Sequence, residues 1–489
     1  MSVENRPTKA ADVGAAAPAL PAVRPEVILG AIPLASRFEL TRISLVRRLL
    51  RSRWTTFLPT AANLFLFVII LLAGVVGTPV GNANIAIVFI WILWWSALML
   101  LLVPFGSRIW CGLCPLPVLG EWLQRRAMVQ RGGRPTGRAW KWPKRLRNMW
   151  LVNGVFLGVA VFSGIITTRP WATVALLGTI MVLSTGLFLL YERRTFCRYL
   201  CPVGGFLGLY ANFAALEVRP KSAAVCVGHK EKECILGSAA GYGCPWLEQP
   251  TNLKRNTYCG MCFECFRTCS KENMGLFLRP FGTDLLVESH RGPDESWKAF
   301  IMLGAAAAYS ATMMGPWGTL KDWANVRSFG GWALFAGGLV ALLLVGLPAL
   351  HGAFAWLSWR LAGRPVPLRR VFVNFSYHLV PLGLLAWIGF SFAILLPNGS
   401  YIPRILSDPF GWGWNLFGTA HLAWTPVLTA WLPLLQAASL LLGFVYSLEI
   451  AWKIARQTFK GSREAARAVI PQVVLLGGVT AAFLWLFVG

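Results

Sequence analysis

Nine long apolar segments set the limits on what this chain can fold into. They fall at roughly 56–77, 85–106, 150–168, 171–191, 298–317, 331–358, 372–396, 421–449 and 469–488. Each runs to about 20 residues, the length an α-helix needs to cross the hydrocarbon core of a bilayer. Inside that core only helices and closed barrels satisfy every backbone N–H and C=O. The expected fold class is therefore an all-α polytopic membrane protein of about nine transmembrane helices. The third segment is short and the 168–171 turn is tight, so the third and fourth form a helical hairpin. A chain of 489 residues, 56% hydrophobic and 13% charged, has a membrane composition and not a soluble one. The lipid bilayer is thus the first expected partner.

A net charge of +26 would suit nucleic acid if it formed one continuous patch. Here the basic residues sit between the apolar segments, so no nucleic-acid partner is expected. Arg37, Arg42, Arg47, Arg48, Arg51 and Arg53 precede the first segment, and residues 107–149 carry ten Lys/Arg. Arg360, Arg364, Arg369 and Arg370 follow the sixth segment; Lys453, Arg456, Lys460, Arg463 and Arg467 follow the eighth. The alternate loops hold only Arg169, Lys321, Arg327 and Arg404. Nine spans with the N-terminus inside put every strongly basic loop in the cytoplasm. The expected location is a bacterial-type inner membrane, with the cysteine-rich insert 192–297 on the cytoplasmic side. Residues 1–53 read as a disordered basic cytoplasmic tail, Ala/Pro-rich over 1–36 and without the apolar core of a signal peptide.

Within the insert lies Cys259–Gly–Met–Cys262–Phe–Glu–Cys265–Phe–Arg–Thr–Cys269. This C-x2-C-x2-C-x3-C spacing is the bacterial ferredoxin run that binds an iron–sulfur cube, its fourth cysteine reaching a neighbouring cluster in two-cluster ferredoxins. Structural zinc uses C-x2-C pairs separated by a longer loop, so four cysteines in eleven residues favour a [4Fe-4S] cluster. Upstream stand Cys226, Cys234 and Cys244–Pro245. By ferredoxin logic one cluster takes Cys259, Cys262, Cys265 and Cys244. A second takes Cys226, Cys234 and Cys269 and lacks a fourth thiolate. His229 is the nearest candidate to complete it, since histidine replaces cysteine in some iron–sulfur centres; a solvated surface histidine is the plain alternative. A zinc site or a three-iron cluster at Cys226 and Cys234 stays open.

Two further pairs, Cys111–Gly–Leu–Cys114–Pro115 and Cys197–Arg–Tyr–Leu–Cys201–Pro202, follow the second and fourth segments. Proline suits the first turn of a new helix, and the N–H groups there favour a thiolate. If those two segments are neighbours, four sulfurs meet and suit a metal, an iron–sulfur cluster or redox-active dithiols. The chain then divides into the tail 1–53, a four-helix membrane domain 54–215, a small ferredoxin-like cluster domain 216–296 and a five-helix domain 297–489.

The paired Cys-Pro motifs, the phrase Phe196–Cys197–Arg198–Tyr199–Leu200–Cys201–Pro202–Val203–Gly204–Gly205 and the ferredoxin run resemble the NapH/NosR-type membrane polyferredoxins. The resemblance covers the first segment to about residue 290. It implies electron transfer between quinol or cytoplasmic donors and respiratory enzymes, or maturation of their metal centres. It also implies that Cys111, Cys114, Cys197 and Cys201 are membrane-edge redox motifs and that Cys259, Cys262, Cys265 and Cys269 are cluster ligands. The chain departs from the family in its C-x2-C-P first motif, in Ser270 where proline is expected, and in the dispersed Cys226/Cys234/Cys244 set. The last five segments fall outside the resemblance.

In those last segments His351 and His378 would sit about 10 Å inside the same face. Intramembrane histidines are functional candidates, here for haem b or a quinone; hydrogen bonding across the bundle is the plain alternative. His421 would begin the eighth segment on the opposite face. Trp91, Trp94, Trp95, Trp356 and Trp359 read as interfacial belt residues, and Gly204–Gly205 as a close helix approach or a flexible turn. No catalytic triad, phosphate loop or dinucleotide fingerprint is present in the sequence. Two functions remain. One is iron–sulfur electron transfer between a cytoplasmic or quinone-pool donor and a respiratory partner. The other is a maturation factor that reduces or delivers metal for another membrane enzyme.

Overall fold

The computed structural model describes residues 37–129, 137–289 and 291–488. The disordered stretch expected at 1–36 lies outside the described residues. The protein is mostly helical. Its long helices, in chain order, are α1 Trp54–Val76, α2 Ile85–Gly106, α3 Pro170–Leu190, α4 Pro293–Met313, α5 Phe329–Leu361, α6 Leu368–Asn398, α7 Thr429–Thr458 and α8 Ser462–Val488. By length and composition seven of these can cross a membrane among the described residues. An eighth span arises if α4 is counted with Gly318–Ala324, from which it is bent by 114°.

By that measure the helices are one or two fewer than the nine segments expected. Segment 150–168 is not one helix but two, Trp150–Ala160 and Ser163–Thr168, parted by a turn at Val161–Phe162. Apolar composition continues across that turn, so hydropathy alone could not show it. Gly164 is pressed against the backbone of Ala324, and only a residue without Cβ tolerates that approach. The eighth segment begins later than expected, because 421–428 is irregular and helix starts only at Thr429. Pro426 disfavours helical backbone at Thr425, and Val427 donates to the Leu396 carbonyl instead (2.9 Å). His421 accordingly lies in a loop.

The helix α6 stands at the centre of the bundle. Of its apolar window 67% is buried, against 22% for α5. It packs along α7 and also meets α4, while α8 packs on α5 and α7. Trp387, wholly buried, sits mid-way along α6 among Trp95, Phe206, Tyr309 and Phe390. The expectation that Trp91, Trp94 and Trp95 form an interfacial belt does not hold. Trp94 faces Trp110, Trp95 faces Phe206 and Trp387, and Trp91 donates to the Thr173 hydroxyl. Two π-helical stretches, Val88–Trp94 and Leu98–Leu102, rotate the face that α2 presents, a distortion with no hydropathy signature.

The insert adds a β-sheet that an all-α class does not contain. Strands β1 (Phe38–Glu39), β2 (Leu216–Pro220) and β3 (Met274–Leu278) form an antiparallel sheet in the order β1-β3-β2. Residues 37–53 are therefore not the disordered tail expected. Beyond β1, helix Ser44–Arg51 buries Leu50 against Val218, Met261, Phe263, Phe266, Met274 and Leu276. Successive strand residues face opposite sides. Val218 enters that apolar cluster, while Glu217 and Arg219 point the other way into a buried ion network. There Glu217 pairs with Arg37 and Arg279 (both 2.9 Å), and Arg219 grips Asp284 through two bonds of 3.1 Å. Asn256 joins the layers: its N–H donates to Asp284, and its side-chain amide reaches Ser107, Ala211 and Leu216. The sheet and this network seat the cysteine-bearing loop 221–273 on the helical body.

Candidate metal centre

Two breaks in the helical bundle carry the Cys-Pro motifs. The helix α2 ends at Gly106, Ser107 takes a left-handed φ of 60°, and a short helix Ile109–Leu113 presents Cys111. After α3 a second short helix, Thr195–Tyr199, presents Cys197. Cys201 caps the next helix, Pro202–Tyr210: Pro202 holds its first position, and the Cys201 sulfur accepts from the Gly204 N–H at 3.3 Å. The expected proline-led helix is thus present after Cys201. It is absent after Cys114, where a turn precedes helix Val118–Arg125. Cys197 is an electrostatic neighbour of Cys111, Cys114 and Cys201, and Cys114 of Cys111 and Cys201. The two pairs therefore form one buried set.

The ferredoxin run forms a second set. Cys265 has Cys262, Cys259 and Cys244 as neighbours, and Cys262 has Cys244. The third set is Cys226, Cys234 and Cys269. Asn273 donates its amide to the Cys226 sulfur at 3.2 Å, a contact of the kind that tunes an iron–sulfur potential. His229 is engaged by carboxylates. Its Nε2 lies 3.2 Å from Glu231 and 3.7 Å from Glu233. Among the described residues no three His, Cys, Asp or Glu side chains converge as a single metal ion requires. A mononuclear zinc needs every sulfur about 2.3 Å from one point, whereas an iron–sulfur cube offers each thiolate its own iron.

The three sets stand in sequence. Cys234 neighbours Cys265, which links the third set to the second. A Cβ on Gly112 would lie 3.0 Å from the Met261 carbonyl and 3.3 Å from Cys262 Cα, so the first motif's loop abuts the run. Arg194 spans this junction. It donates to the Cys111 carbonyl (2.5 Å), pairs with buried Glu121 through Nε (3.0 Å), and has both Cys197 and Cys262 as neighbours. Trp246 fills the space between, with the guanidinium of Arg108 4.7 Å from its ring centroid and that of Arg194 5.8 Å away.

Burial pushes the thiols of Cys201, Cys234, Cys244 and Cys259 up to about 11 and that of Cys262 up to about 12. Neighbouring cysteines reinforce the shift, since bare thiolates would repel one another. Against this stand buried cations. Arg108 is 2% exposed with Nε and Nη2 unpartnered, and Lys298 is fully buried with Nζ unpartnered. Clustered thiols beside these cations fit an anionic metal–thiolate group, which would displace the thiol protons and set negative charge against the cations.

A cavity of about 690 Å³ opens from the first set into the bundle. Cys111, Cys114, Cys197 and Cys201 line one end. Its walls are aromatic, with Trp95, Phe206, Tyr309 and Trp387 among them. Asn82, Thr168, Lys321 and Asn325 line the other end, in segments joining the far ends of the helices. His351 and His378 do not line it. Their rings lie 6.0 Å apart, His351 is packed between Phe300 and Phe372, and each Nε2 bonds to protein, to the Phe372 carbonyl (3.0 Å) and Gln472 (2.9 Å). Each Nε2 is thus engaged by a protein group, and hydrogen bonding across the bundle accounts for both histidines.

Sequence reasoning passed over Arg108, Arg194 and Lys298. A signal existed for the first two, because each stands three residues before the first cysteine of its pair. Lys298 was visible only as a charge at the edge of an apolar run.

The cysteine sets and the apolar helices are consistent with a 4Fe-4S, ferredoxin-type membrane protein. Residues 87–144 and 172–218 match a family described as a 4Fe-4S binding domain. Those segments contain Cys111, Cys114, Cys197 and Cys201 and end before Cys226. Among curated relatives, the methylamine utilization ferredoxin-type protein MauN of Paracoccus denitrificans is 29% identical over 136 residues, 25% of this chain and 45% of the relative. MauN of Methylobacillus flagellatus is 30% identical over 141 residues, 25% of this chain and 46% of the relative. An uncharacterized protein of Methanocaldococcus jannaschii is 24% identical over 180 residues, 34% and 70% respectively. The chain spans just under half the length of the MauN relatives it matches. No solved structure matches it.

Proposed function

We propose that the protein is a membrane-bound iron–sulfur electron carrier that links a redox partner docked at the insert to a quinone held in the aromatic cavity. Cys111, Cys114, Cys197 and Cys201 hold one [4Fe-4S] cluster, and Cys244, Cys259, Cys262 and Cys265 a second. Cys226, Cys234 and Cys269 are the ligands available to a further centre. Bound clusters supply one-electron chemistry; the protein supplies their order, their burial and their charge environment. The observation that carries this reading is the cavity that ends on the first cysteine set, since a flat apolar ligand there would lie at the end of the series. The basic flanks support an insert on the cytoplasmic side of a bacterial-type inner membrane, and a respiratory complex is the proposed partner. Burial of Cys111, Cys197 and Cys201 favours electron exchange over metal delivery, because a delivered metal must leave its ligands while an electron need not.

The test fills the cavity. Ala393, which lines it, is replaced in Ala393→Trp. The variant is expected to keep its iron and its reduction by dithionite while losing at least tenfold in the rate at which a quinone reoxidises it. An unchanged rate with the tryptophan in place would contradict the assignment of the cavity.

A further inference from the structure

Two cations flank Cys201: Lys298 has no carboxylate among its electrostatic neighbours, while Arg108 has Glu248. Lys298, on α4, is fully buried and its Nζ has no hydrogen-bond partner. The ammonium stands 4.7 Å from the ring centroid of Phe156, and 3.2 Å from where a Cβ on Gly205 would lie. On the other side Arg108 gives Nη1 to the Thr257 carbonyl and leaves Nε and Nη2 unpartnered. Its Nη2 lies 3.5 Å from where a Cβ on Gly204 would be. Cys201 is an electrostatic neighbour of both. Nearby carboxylates form their ion pairs elsewhere: Glu121 with Arg194 and Arg125, Glu248 with Arg198, Glu295 with Arg255.

A lone ammonium among apolar side chains is costly, so a protein that keeps one there sets negative charge against it. Four thiolates around an iron–sulfur cube carry net negative charge, and one-electron reduction adds another. We infer that Lys298 and Arg108 are fixed counter-ions to the group bound by Cys111, Cys114, Cys197 and Cys201, and that they hold its reduction potential up. The inference rests on the proposed function's assignment of a cluster to those four cysteines. Positive charge stabilises the more negative, reduced state, and the effect is large where water is excluded. The Gly204–Gly205 pair acquires a role as well. Without side chains the two residues let both cations approach the helix that Cys201 caps. A Cβ on Gly205 would also meet Val152 at 2.6 Å.

The experiment is an anaerobic redox titration of the full-length protein in detergent, followed by EPR, with iron and sulfide measured on each variant. Cys201→Ser identifies the signal of this cluster by its loss. Lys298→Met is expected to lower the midpoint of that signal alone, Gly205→Ala to lower it less, and Lys298→Arg to keep it near the wild-type value. Loss of the cluster in Lys298→Met but not in Lys298→Arg also supports the inference, because charge and not shape is then what the site requires. An unchanged midpoint in Lys298→Met, or loss of the cluster in both Lys298 variants, overturns it. Iron, sulfide and all signals unchanged in Cys201→Ser would instead sink the four-cysteine assignment on which it stands.

Discussion

At the scale of single residues the protein gathers groups that are costly to bury alone. Thiols raised by burial stay protonated near neutrality, so metal taken up at the proposed sites would displace protons. Cys262→Ala is expected to remove about one cluster's iron and sulfide, leaving the remainder; unchanged iron content would refute that ligand assignment. Cys114→Ser should leave the ferredoxin-type EPR signal in place and abolish electron transfer to the acceptor, and full turnover in that variant would count against a redox role for the pair. Arg194 and Glu121 form a buried pair that Arg125 also joins, so removing Arg194 leaves Glu121 one cation and the Cys111 carbonyl without its donor. Arg194→Met should destabilise the protein by about 1–3 kcal/mol, seen as a lower thermal midpoint in detergent.

At the scale of elements, function depends on close contacts between loops that are far apart in the chain. A Cβ on Gly260 would run into the Trp246 ring, so Gly260→Ala should force the ferredoxin run away from the Cys111 loop. The expected cost is about 1–3 kcal/mol, with faster loss of iron under a chelator than in the wild type. How much of this could be read in advance varies by element. The long apolar helices and the ferredoxin-type 4Fe-4S character were legible, because hydropathy and cysteine spacing are local properties. The break at Val161–Phe162 was not, since the apolar composition runs on across it, and the contact of Gly164 with Ala324 beside it joins residues far apart in sequence. Pairing of Phe38–Glu39 with β3 was hidden for the same reason: a two-residue strand carries no period of its own. Proline after a cysteine predicted a helix start correctly at Cys201, and wrongly at Cys114, where Pro115 and Pro117 share a turn.

At the scale of the whole molecule, the insert, the Cys-Pro loops and the cavity form one series that runs from the sheet into the helical bundle. The ion network of Arg37, Glu217, Arg219, Arg279 and Asp284 seats the insert, and Arg194 with Trp246 closes the gap to the membrane-edge cysteines. None of that alignment would matter if the sulfurs held something other than iron. The decisive measurement is the content of iron, acid-labile sulfide and zinc per chain in protein purified without oxygen. At least two clusters, hence about eight irons with matching sulfide, are predicted in a brown preparation. A colourless protein containing zinc alone would contradict the account.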